Sequence, residues 1–88
     1  MLRISVISES DQDLQMQLEG NLAGPWVEEV RRLSNEALSK NKSVTLDLAE
    51  VWFADWRGVE LLRELSDKKV SQLNCSQFIG QQLKEPAQ

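Results

Sequence analysis

Histidine is absent from this sequence, and cysteine occurs once, at Cys75. Without histidine, the commonest general base is missing, and every Ser–His or Cys–His nucleophile arrangement is excluded. A zinc site would rest on carboxylates, a poor donor set for that ion, so neither a metal nor any other cofactor is expected. A lone cysteine rules out an internal disulfide and fits a reducing compartment, which points to the cytoplasm. No apolar run reaches the length of a membrane span, and the N-terminus lacks a basic-then-apolar leader pattern, so no membrane insertion is expected. Basic residues are in the minority, 10 against 14 acidic ones, and form only the pairs Arg31-Arg32 and Lys68-Lys69. Nucleic acid, whose binding rests on neutralised phosphates, is therefore not an expected partner. What remains is 41% apolar and 27% charged over 88 residues, the balance of one small globular domain.

Within that domain the apolar residues change period several times. Leu2, Ile4 and Val6 alternate with Arg3 and Ser5, as in a half-buried strand. A polar turn, Glu9 to Asp13, separates them from Leu14, Met16 and Leu18, which alternate with glutamines, so the first two strands form a hairpin. Gly24-Pro25 opens a helix with proline at its first position. Glu28 and Glu29 sit in its first turn, where the helix dipole favours them. Trp26, Val27, Val30, Leu33, Ala37 and Leu38 make its apolar stripe. Val44, Leu46 and Leu48 mark a third strand, continued inward by Val51 and Phe53. Asp55 suits a helix N-cap accepting from Arg57 or Gly58, and Val59, Leu61, Leu62 and Leu65 supply the second helix. Val70 to Asn74 reads as a short fourth strand, although Val70 and Leu73 also fit a continued helix. Ser76 would cap a third helix carrying Phe78, Ile79 and Leu83, ended by Pro86. The domain thus spans 1–85, with 86–88 a frayed tail. An α/β fold follows: a four-stranded mixed sheet, an antiparallel hairpin and then βαβ units, with three helices on one face.

Two stretches carry a family resemblance. "LEGNLAGPWVEEVRRL" places Leu18, Gly20 and Leu22 before the first helix. "VTLDLAEVWFADWRGVELLREL" places Val44, Leu46, Asp47, Leu48, Val51, Phe53, Asp55 and Gly58 through a strand, a connection and a helix start. In order and spacing they resemble the STAS domain of anti-sigma factor antagonists, from Leu2 to about Leu83. The resemblance implies a non-catalytic module that binds a regulatory protein, an anti-sigma kinase or, in a variant, a subunit of a lipid-transporting ABC complex. It places the contact surface at Asn21, Ala23, Asp55, Trp56, Arg57 and Gly58. It further implies a fifth strand and a final helix beyond about Leu83, where this chain stops. The exposed fourth strand that would result, flanked by Lys68 and Lys69, invites a homodimer or a covering partner.

The departures are chemical. Where the resemblance implies Asp-Ser-Ser-Gly or Asp-Ser-Thr-Gly, with a phosphorylated hydroxyl, this chain has Trp56 and Arg57; where it implies a second acidic residue, Ala23 stands. No phosphorylation is expected at the turn. Trp56 either folds back over the helix start as a staple or stands out beside Arg57 as an interface anchor. Trp26 and Trp52 are expected to pack on the core, as large aromatics on apolar faces do, and Cys75 to behave as a small buried hydrophobe. Asp47 reads as polar spacing on an exposed strand face. An enzyme using Asp55 as base lacks any companion group. An anion or nucleotide at the second helix start would gain from the helix N-terminus and Arg57 but meet Asp55.

Overall fold

The structure, a computed structural model, describes residues 1–75. The elements run β1 (Leu2–Glu9), β2 (Asp13–Leu22), α1 (Pro25–Ser39), β3 (Ser43–Ala54), α2 (Trp56–Asp67) and β4 (Ser71–Leu73). They form one four-stranded sheet in the order β1-β2-β3-β4, antiparallel between β1 and β2 and parallel thereafter. This is the expected mixed α/β sheet. Two helices lie among the described residues; the expected third helix, from Ser76 to Leu83, lies outside them.

Both helices cover the sheet face that carries Leu14, Met16 and Leu18 from β2 and Val44, Leu46 and Leu48 from β3. Val27, Val30 and Ala37 of α1 and Leu61, Leu62 and Leu65 of α2 meet them in a single core built of aliphatic side chains. Each fully buried Leu or Val contributes roughly 1.5–3 kcal/mol, so this stripe-to-sheet contact is what folds the domain. The opposite sheet face presents Gln15, Gln17, Thr45 and Asp47, polar and half-buried. At the far rim, Arg31 Nε pairs with Glu64 at 3.2 Å and Lys68 Nζ donates to Asn35 Oδ1 at 3.0 Å, tying α1 to α2. Such exposed pairs are worth well under the core.

Three expectations change. The fourth strand is shorter than Val70–Asn74: Lys69 takes a left-handed φ of 66°, which ends the helix, and Val70 N–H donates to Leu65 O at 2.9 Å, turning Val70 into the core. That also disposes of a helix continuing through 70–73. Phe53 does not continue inward. β3 carries one extra residue between Asp47 and Glu50 and another between Val51 and Phe53, relative to β2. Each bulge shifts the period-two alternation, so Val51 and Ala54 are buried and Trp52 and Phe53 both face out. Asp47 serves the first bulge rather than mere spacing: its Oδ1 accepts from Ala49 N–H at 3.0 Å and from Asn74 Nδ2 at 3.2 Å. Cys75 is half-buried against the core, and burial pushes its thiol pKa up.

Candidate functional site

The site forms where β2 and β3 finish and the two helices begin. Asp55 leaves β3 in an extended conformation and caps α2, with Gly58 N–H donating to its Oδ1 at 2.8 Å. Its second oxygen is also engaged: Gly24 N–H donates to Oδ2 at 3.1 Å, across 31 residues of sequence. Asp55 N–H in turn donates to Leu22 O at 3.2 Å. One aspartate therefore binds the β2–α1 loop to the β3–α2 turn. Gly58 is required by the closeness of that join, because a Cβ there would lie 2.3 Å from Leu22 O. Gly24, which precedes Pro25, holds a φ of 61°, a conformation that favours glycine.

On this fixed frame Trp56 and Arg57, the first two residues of α2, point outward. The Arg57 guanidinium stacks over the Trp56 ring, 5.4 Å from its centroid, the geometry of a cation–π contact. Trp56 is 70% exposed and thus does not fold back as a staple. The pair borders a cleft of about 370 Å³ between the starts of α1 and α2, with Glu28, Arg31 and Glu60 on its walls. Asn21, exposed, lies opposite Phe53 in the β2–β3 ladder, and Ala23 is half-buried in the following loop. The six expected site residues thus lie on the two adjoining turns β2–α1 and β3–α2, and apart from the half-buried Ala23 they fall into two classes. Asp55 and Gly58 hold the frame, whereas Trp56, Arg57 and Asn21 present side chains to solvent.

Sequence reasoning missed the size of the aromatic surface. Trp52 is 70% exposed, Phe53 46% and Trp26 37%, which overturns the expected core packing of Trp26 and Trp52. Together with Trp56, every aromatic residue among the described ones lies in the last turn of β3 or the first turn of a helix, and none is in the core. A signal was available. In a regular strand adjacent residues face opposite sides, so Trp52-Phe53 signalled one aromatic turned away from the helices; the bulge between Val51 and Phe53 turns both of them out. The Gly24 amide as the second partner of Asp55 had no local signal.

With this geometry in view, comparison with solved structures finds the anti-sigma factor antagonist SpoIIAA in its unphosphorylated form, with a TM-score of 0.69. The match covers 98% of this chain and 90% of that one, at 19% sequence identity. The chain has the STAS fold. No family model matches the sequence, and no curated protein matches it either. At this identity the likeness speaks to the STAS fold alone, and the site must be judged on its own residues.

Proposed function

We propose that the chain is a non-catalytic interaction module of the anti-sigma factor antagonist type, engaging a bacterial regulatory protein in the cytoplasm through the Trp56–Arg57 turn without phosphorylation. The observation that carries this reading is the placement of the aromatics: Trp26, Trp52, Phe53 and Trp56 all stand exposed at one end of the fold. A small domain that leaves such side chains in water, beside an arginine, has the composition of a binding hot spot. The frame beneath them is pinned by Asp55, so little ordering accompanies binding. The turn from Asp55 to Gly58 contains no hydroxyl residue, which removes the acceptor that a serine kinase needs. Asp55 already accepts the free amide of Gly58 and places a carboxylate at the α2 start, which speaks against an anion or nucleotide there.

The test is a calorimetric titration against an anti-sigma kinase-type protein of the same genome, with and without Mg-ATP. Binding should be unaffected by ATP, and peptide mapping should find no phosphate from Asp55 to Gly58. Trp56→Ala should weaken binding by ~2 kcal/mol or more, in the range of hot-spot truncations. Full affinity in that variant, or ATP-driven release with a phosphate at the turn, would sink the proposal.

A further inference from the structure

The cleft beside Trp56 carries one carboxylate that the fold leaves unanswered. On the α1 wall, Glu28 accepts from Arg31 Nη1, and the same guanidinium reaches Glu64 at 3.2 Å. On the α2 wall, Glu60 is exposed and has no ion-pair or hydrogen-bond partner among the described residues. Arg57 lies three residues away, a spacing at which opposite charges on a helix commonly meet. Its guanidinium lies instead over the Trp56 ring, 5.4 Å from the centroid. Buried Val27 and the exposed Trp56 ring supply the apolar surface of the cleft.

We propose that the protein partner inserts a basic side chain, arginine or lysine, into this cleft and pairs it with Glu60. The inference rests on the proposed function and adds the chemistry that the partner must bring. Trp56 and Glu60 are four residues apart on α2 and so share one face of the helix. A partner that covers Trp56 therefore also takes Glu60 out of water. A carboxylate desolvated without a counter-charge opposes binding, whereas one met by a cation fixes the register of the complex. The cleft selects the sign. An acidic side chain entering it would face Glu28 and Glu60 together, with the Asp55 carboxylate bonded to Gly24 of the same lining. Arg31 offers such a group little, since two carboxylates already hold it. The stem of a long basic side chain, by contrast, can lie along Trp56 and Val27 while its charge reaches Glu60. The net charge of −4 favours the approach of the same kind of surface.

Calorimetry against the anti-sigma kinase-type protein of the same genome separates this inference from the reading beneath it. Glu60→Gln should raise the dissociation constant about fivefold and Glu60→Lys more than about twentyfold, with thermal melts matching wild type. Wild-type binding should weaken as sodium chloride rises, and Glu60→Gln should flatten that dependence. Asp11→Lys makes the same charge change in the β1–β2 turn, at the other end of the strands, and should leave affinity unchanged. As a second probe, the peptide acetyl-Gly-Arg-Gly-amide should shift the NMR signals of Val27, Glu60 and the Trp56 indole N–H at millimolar concentration. Its glutamate counterpart should not. Wild-type affinity in Glu60→Gln would overturn the inference, with Arg57 of the same chain then answering the carboxylate. So would an Asp11→Lys loss as large as that of Glu60→Lys, a stronger response to the glutamate peptide, or none to the arginine one. If Trp56→Ala alone loses affinity, the proposed function survives and this inference falls; if neither variant loses it, both fall.

Discussion

The two helices begin in contrasting ways. α2 is capped by a side chain, Asp55, whereas α1 starts at Gly24 and Pro25 with no side-chain cap at all. Yet α1 is the longer helix and packs Val27 and Val30 at full burial immediately after that start. The difference is resolved by the second oxygen of Asp55, which holds Gly24 N–H just before α1. One carboxylate steadies both beginnings, one as a local cap and the other at long range. Packing sets how much each helix contributes to the core, and a single polar group sets how the two are fixed to one another.

The sharpest way to break this comparison is Gly58→Ala. A methyl there meets Leu22 O, a backbone atom that cannot swing aside, at 2.3 Å, with Leu22 Cγ at 3.1 Å and Ala54 Cβ at 3.2 Å. Despite alanine's better helix propensity, a loss of about 2–4 kcal/mol is expected. In a domain of this size that lowers Tm by roughly 10 °C or more, measurable by circular dichroism. Asp55→Ala comes next. It removes a cap and leaves the Gly24 amide without its partner, together about 2 kcal/mol. Asp55→Asn should recover part of this loss, since one oxygen still accepts. Full recovery would show that the long-range bond to Gly24 matters little.

Ser34→Ala probes α1 away from the turn, with the opposite sign. Ser34 is fully buried and its Oγ has no hydrogen-bond partner among the described residues. Replacing it should stabilise the fold by about 0.5–1 kcal/mol, because a desolvated hydroxyl is removed without breaking a bond. A loss of stability instead would mean that the hydroxyl finds a partner in solution. Smallest of all is the effect of Trp56→Ala on stability, expected within about 0.5 kcal/mol, since the ring touches solvent over most of its surface. A Tm drop of several degrees would return Trp56 to a structural role.

Much of this was legible in the sequence, and the reason is local. The β1–β2 alternation, the Gly24-Pro25 helix start and the aspartate cap at Asp55 all depend on neighbours a few residues away. Three features were not. The direction of Phe53 depends on bulges, which leave no mark in an alternating pattern because they are defined only against the partner strand. The end of α2 at Lys69 rests on a left-handed residue that is neither glycine nor asparagine, so no breaker announced it. The bond from Gly24 to Asp55 spans two loops that meet only once β2 and β3 lie side by side. Of the site, the positions were legible and the division of labour was not: Asp55 and Gly58 looked like contact residues and serve as the frame beneath Trp56 and Arg57.

The long span of that bond also has a kinetic side. The β1–β2 hairpin closes over a short turn, whereas the Asp55–Gly24 contact must wait for α1 to be bridged and the parallel ladder to reach its far end at Leu22 and Ala54. Contacts that join distant segments carry the larger loop-closure cost, and this one, set at the end of the ladder, is expected to be absent from the rate-limiting step. Interactions absent from that step set how fast a protein comes apart, not how fast it assembles. Asp55→Ala should therefore steepen escape from the folded state while refolding proceeds at the wild-type pace, and stopped-flow measurement of both limbs would read the two rates separately. On this account Asp55 acts as a clasp on the finished domain, governing its lifetime.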